Sequence, residues 1–117
     1  MNRKELGARA EDAAARFLES RGLRILERNF RCKMGEIDLI AEDGAALVFV
    51  EVRSRASSSF GTAAETIGPS KRRKIIKTAL FYLQSRGLFE RASRFDVVTF
   101  DGGAPSYIPG AFSINGV

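Results

Sequence analysis

The sequence predicts an α/β domain in which one central mixed β-sheet is flanked by helices in the order αβββαβ. Three observations support it: two long amphipathic helix patterns, three strand-like runs between them, and a fourth run after the second helix. With 117 residues and 44% hydrophobic content the chain can bury one core and is short for two, so residues 1–117 are read as a single domain.

The first helix opens on Asn2 and Glu5, which fit a capping box, and repeats apolar residues at helical spacing through Leu6, Ala10, Ala13, Ala14, Phe17 and Leu18. Arg21-Gly22 stops it. Strands are predicted at Leu23–Phe30, Glu36–Ala41 and Leu47–Arg53, each rich in apolar or β-branched residues. Glu42-Asp43-Gly44-Ala45 forms the turn between the second and third. Residues 56–61, Ala-Ser-Ser-Ser-Phe-Gly, read as a surface loop of the kind found beside active sites. After Gly68-Pro69 a second helix is predicted from Ser70 to Arg86, with Ile75, Ile76, Ala79, Leu80 and Leu83 as its buried stripe and Gly87 at C′. Phe95–Phe100 is the fourth strand, Gly102-Gly103 a turn, and Tyr107-Ile108 a short fifth strand.

Composition narrows the chemistry. The single cysteine, Cys32, excludes an intramolecular disulfide, and the absence of histidine removes the usual zinc ligands and the Ser-His and Cys-His nucleophile pairs. Carboxylate, lysine, arginine and hydroxyl chemistry remain, and carboxylate oxygens favour hard cations such as magnesium or manganese. No apolar run approaches the roughly 20 residues that span a bilayer, and Arg3, Lys4 and Glu5 do not fit a signal peptide; the expectation is a soluble cytoplasmic protein without a membrane partner. A net charge of +5, from 19 Lys plus Arg against 14 Asp plus Glu, leans toward a polyanionic partner.

Two acids stand inside the best strand signals: Asp38 in Gly-Glu-Ile-Asp-Leu-Ile and Glu51 in Val-Phe-Val-Glu-Val-Arg. Acids are poor strand residues and resist burial unless a cation compensates them. Alternation puts Phe49, Glu51 and Arg53 on one face of the third strand and Glu36 and Asp38 on one face of the second. A hairpin centred between Gly44 and Ala45 sets Asp38 opposite Glu51, with Cβ atoms roughly 4.5–5.5 Å apart. The tighter Asp43-Gly44 turn sets Asp38 opposite Phe49 and diagonal to Glu51, still on the same face. Either way the pair suits one divalent ion, and Arg53 beside it offsets part of the repulsion. Glu36, Asp38, Glu51 and Arg53 read equally well as an ion-pair cluster with no metal. Glu11, at the border of the first helix's apolar stripe, is a third candidate acid.

Taken together, these stretches resemble the PD-(D/E)XK, or restriction-endonuclease-like, nuclease fold. More closely they resemble the UPF0102 family, which is similar to archaeal Holliday junction resolvases. The matching segments are Leu-Gly-Ala-Arg-Ala-Glu-Asp-Ala-Ala-Ala-Arg-Phe-Leu, Ile-Leu-Glu-Arg-Asn-Phe-Arg, Gly-Glu-Ile-Asp-Leu-Ile, Val-Phe-Val-Glu-Val-Arg-Ser-Arg and Arg-Phe-Asp-Val-Val, which cover nearly the whole chain. The resemblance implies a metal-dependent endonuclease hydrolysing phosphodiester bonds, with DNA the expected nucleic acid and branched DNA within its range. It makes Asp38 and Glu51 the metal-binding acids with help from the Val52 carbonyl, Arg53 the occupant of the catalytic lysine position, and Glu11 the helix acid added in resolvase-like members. Arginine there is the departure, because a guanidinium stays protonated and can only donate hydrogen bonds and charge. A homodimer is compatible with the resemblance, since a four-way junction presents paired cuts, although no exposed apolar seam marks an interface.

Lys71, Arg72, Arg73, Lys74 and Lys77 crowd the opening turns of the second helix, where cations oppose the helix dipole and a phosphate would relieve them. With Arg55 and the serine loop they are the candidate backbone contacts to nucleic acid. The alternative function is an inactive nucleic-acid binding module that keeps the fold; a third is a scaffold whose acids are structural.

Overall fold

The computed structural model describes residues 3–55 and 67–114. Helix α1 (Arg3–Ser20) leads into strands β1 (Arg24–Cys32), β2 (Gly35–Asp43) and β3 (Ala46–Arg55); helix α2 (Pro69–Arg86) then precedes β4 (Ser93–Asp101) and β5 (Ala104–Phe112). The five strands form one sheet in chain order, antiparallel throughout except for the parallel pair β3 and β4. A parallel neighbour needs a crossover, and α2 lies within it. This is the predicted αβββαβ order, with β5 a full strand rather than a short addition.

Each helix covers one face. Ala14, Ala15 and Leu18 of α1 pack with Leu39, Ala41, Val48, Val50 and Val98, all fully or almost fully buried. On the other face Ile75, Ala79, Tyr82 and Leu83 of α2 pack with Ile40, Leu47, Phe49, Phe95, Val97 and Phe112. Val48 and Val50 face α1 while Leu47 and Phe49 face α2, the period-two alternation expected of a strand buried on both sides. Burying one such Val, Leu or Phe contributes about 1.5–3 kcal/mol, so both helices are held by the sheet more than by their own propensity.

Both helices stop in the same way. In α1 the Leu23 N–H donates to the Leu18 carbonyl and the Gly22 N–H to that of Glu19; in α2 Leu88 and Gly87 do the same to Leu83 and Gln84. This is the Schellman arrangement, and its C′ residue, Gly22 or Gly87, has φ of 92° or 65°, which glycine reaches without Cβ strain. The Asn2 half of the expected capping box and the 56–61 loop lie outside the described residues. Among the described residues no helix is long and apolar enough to cross a membrane.

Candidate metal and phosphate site

The β2–β3 turn is the two-residue Gly44-Ala45, with Gly44 at φ 59°, as a type II′ hairpin requires of its first central residue. It pairs Asp43 with Ala46 and carries the register to Leu39 opposite Val50. One step further the same register sets Asp38 opposite Glu51. There the side chain replaces the ladder: the Val52 N–H donates to Asp38 Oδ2 at 2.8 Å.

Strand alternation breaks at this level. Ile37 packs on the α2 side and Leu39 on the α1 side, although regular pleating would put both on one face. Across the β1–β2 pair, Asn29 falls between the pairs Arg28–Leu39 and Phe30–Ile37 and has φ 54°. Asparagine enters that left-handed region more readily than most residues. The irregularity in both strands therefore falls at the level of Asp38, whose carboxylate accepts from the β3 backbone. Its pKa is pushed up to about 7, first by burial and then by the charge of Glu51, with smaller contributions from Glu11 and Glu36; the Val52 N–H acts in the opposite direction.

Glu51 follows Phe49 by two residues and so projects on the α2 side. It is 6% exposed and its Oε1 meets two cations: Lys71 Nζ at 2.9 Å and the Arg53 guanidinium at 4.0 Å. Lys71 comes from the first turn of α2, which begins on Pro69 after an N-cap, Gly68, that makes no side-chain cap bond. A lysine here opposes the helix dipole. The buried carboxylate compensates it.

Two grooves among the described residues are lined by groups that act on these acids, Glu11 in one and Lys71 in the other. One of about 410 Å³ is lined by Gly7, Ala8, Glu11, Asn29, Arg31 and Glu36. The other, of about 520 Å³, is lined by Gly35, Glu36, Gly68, Ser70, Lys71, Lys74 and Ile75. Glu36 borders both and pairs with Arg31 at 3.3 Å, so it stands apart from the Glu51–Arg53–Lys71 group. The ion-pair cluster of Glu36, Asp38, Glu51 and Arg53 is thus divided: Arg53 and Lys71 meet the buried Glu51, Asp38 accepts from the Val52 N–H, and Glu36 pairs with Arg31 at the surface.

The basic residues separate as well. Lys71 and Lys74 line the larger groove, and Arg73 is exposed. Lys77 lines a third groove of about 220 Å³ with Met34, Leu80, Phe81 and Gln84. Arg72 points elsewhere: its Nε donates to the Ile67 carbonyl at 3.0 Å and its guanidinium lies 5.3 Å from the centre of the Phe112 ring. The Arg55 side chain lies outside the described residues.

Among the described residues, no three acid or thiol side chains gather as a ready-made metal cage. The acids at this level are the carboxylates of Asp38, bonded to the Val52 N–H, and of Glu51. Such a pair suits magnesium or manganese, which commonly take one or two carboxylates and complete their shell with water and substrate phosphate.

A polar network that sequence reasoning missed lies on the α1 face. Asp96 is fully buried and accepts from Arg94 Nε at 3.0 Å, from the Tyr107 hydroxyl and from the Gly110 N–H at 2.9 Å, while Arg94 also reaches Asp43 at 2.9 Å. It ties β5 to β4 beside the bulge between Phe95 and Val97.

The model of the uncharacterised protein family UPF0102 matches residues 10–100, a span that contains Glu11, Asp38, Glu51, Arg53 and Asp96. The chain belongs to the UPF0102 family. UPF0102 proteins of Hahella chejuensis and Moorella thermoacetica are 49% and 50% identical to it, over 93% and 84% of this chain and 90% and 82% of theirs. The UPF0102 protein of Alkalilimnicola ehrlichii is 48% identical over 96% of this chain and 90% of its own. Most of this UPF0102 chain therefore has a counterpart in relatives of similar length, and the family match runs from within α1 into β4.

Proposed function

We propose that this UPF0102 protein is a metal-dependent endonuclease that hydrolyses phosphodiester bonds in nucleic acid, with branched DNA the substrate its resolvase-like motifs favour. The observation that carries this reading is the Asp38–Glu51 pair: acids on adjacent strands, one half-buried with its pKa raised to about 7, the other buried and met by two cations. Asp38, Glu51 and the Val52 carbonyl would hold magnesium or manganese. When bound, the ion would polarise a phosphoryl oxygen and acidify a water.

The chain's own groups supply the rest. The Val52 N–H fixes the Asp38 carboxylate before any ligand arrives, so little ordering remains on binding. Arg53 donates charge and hydrogen bonds to the oxygens that become negative as the phosphorus is attacked, and takes no proton itself. Glu11, across the smaller groove, accepts a hydrogen bond from a water at the centre. Lys71, Arg73, Lys74 and Lys77, with Arg55, bear on the phosphate backbone; Arg72, committed to Ile67 and Phe112, holds α2 in place. A cytoplasmic setting and a symmetric dimer on a branched substrate belong to the same reading.

The test is a panel of labelled branched, duplex and single-stranded DNA with manganese, run beside Glu51→Ala. The reading expects cleavage by the wild type and none by the variant; cleavage retained by the variant overturns it. Arg53 supports a second reading, a binding module that does not cut, because a guanidinium stands 4.0 Å from the metal-binding acid where a titratable lysine is the rule. Cleavage gained in Arg53→Lys with none in the wild type favours the binding module.

A further inference from the structure

Glu51 is buried, and the same oxygen, Oε1, is met by a close ammonium and a more distant guanidinium. Arg53 leaves β3 two residues beyond Glu51 and comes only to 4.0 Å, whereas Lys71 crosses from α2 to reach 2.9 Å. The Lys71 side chain is 46% exposed and opens on the groove lined by Gly68, Ser70 and Lys74. A long, flexible ammonium anchored on one side of a groove can leave a carboxylate at small cost and remain within the site.

We propose that Lys71 is the internal cation of this centre, a positioning residue that holds Glu51 until a divalent ion displaces it and then stands in the groove as the ammonium nearest the substrate phosphate. The inference rests on the metal-site reading above. It assigns to a helix residue the lysine part that β3 does not supply. It also accounts for a lysine at the first turn of α2, where the dipole alone disfavours one. Because Lys71 and a divalent ion compete for one carboxylate, removing Lys71 strengthens metal binding while weakening cleavage. A residue that merely supports the fold would move both in the same direction.

The experiment is calorimetric titration of Mn²⁺ into the metal-free full chain at pH 8, for wild type, Lys71→Met, Lys71→Arg and Lys33→Met. The last removes one exposed charge at the β1–β2 turn. Lys71→Met is expected to bind Mn²⁺ about tenfold tighter, the scale of losing one competing partly exposed ion pair. Lys71→Arg and Lys33→Met are expected within about twofold of wild type on the same scale. In the absence of metal Lys71→Met melts lower than wild type, and Mn²⁺ removes the difference. A wild type that binds no Mn²⁺ overturns the metal-site reading itself. A wild type that binds it, with Lys71→Met equal or weaker, overturns this inference alone.

Discussion

The Val52 N–H donates to Asp38 Oδ2 at 2.8 Å, so an acidic side chain stands where the β2–β3 ladder would continue in main chain. The half-buried Asp38 carboxylate has its pKa raised to about 7 by desolvation first and by the charge of Glu51 next, against the Val52 N–H bond, which lowers it. Removing the charge while keeping the acceptor separates the two roles. Asp38→Asn still accepts the Val52 N–H but carries no charge to desolvate. Metal-free Asp38→Asn is expected to be more stable than wild type at pH 8, by on the order of 1–3 kcal/mol, and to lose Mn²⁺ binding by at least about tenfold. Chemical denaturation and calorimetry on the same preparations check both.

Between the ordinary carboxyl value of 3.8 and about 7, the folded protein keeps a proton on Asp38 that the unfolded chain has released. The folded state binds more protons in that window, so the stability contributed by this group falls as pH rises through it and is level above. Metal binding runs the other way: the ion must expel that proton, and Mn²⁺ affinity is expected to rise about tenfold per pH unit up to about 7 and then flatten. Asp38→Asn should lose this feature of the wild-type stability profile. Thermal melts from pH 4 to 8, with and without Mn²⁺, give both curves.

The Asp96 network predicts loss of stability without loss of metal. Asp96→Ala leaves Arg94, the Tyr107 hydroxyl and the Gly110 N–H without their shared acceptor in a buried site, at a cost of about 3–5 kcal/mol. Tyr107→Phe removes one partner and costs about 1–2 kcal/mol. Both variants, where folded, are expected to bind Mn²⁺ as wild type does, since the network lies on the α1 face and Glu51 projects on the other.

The hairpin register was legible because it needs only local information. The sequence allows two turns, Gly44-Ala45 or Asp43-Gly44, and β2 and β3 pair in the register of the first, from Asp43 opposite Ala46 to Leu39 opposite Val50. The helix ends were legible for the same reason, each marked by its glycine. Only Tyr107-Ile108 stands out as strand in the β5 sequence, and Pro105, Pro109 and Gly110 interrupt the pattern around it. On an edge strand proline is tolerated, and Gly110 at φ 61° donates to Asp96. The break at Asp38 depends on Asn29 of the neighbouring strand. The Lys71–Glu51 and Arg72–Phe112 contacts join residues that only the crossover through α2 and the β4–β5 pairing bring together, so no spacing rule could announce them.

Glu11 acts at longer range than the paired acids. It lines the smaller groove and raises Asp38 through its charge, with no direct bond to it among those described. Glu11→Gln is expected to leave Mn²⁺ affinity within about threefold of wild type and to lower any cleavage rate by about 10–100-fold, as outer-shell changes at metal centres do. Parallel titration and single-turnover kinetics distinguish this from loss of the ion.

On the proposed reading, Asp38 and Glu51 hold one divalent cation between β2 and β3. The most direct test is calorimetric titration of Mn²⁺ into wild type and Glu51→Gln at pH 8, with folding of both confirmed by circular dichroism. Saturable binding at one site per chain in the wild type, and none in Glu51→Gln, is the predicted result. Equal binding by both proteins, or none by the wild type, would contradict it.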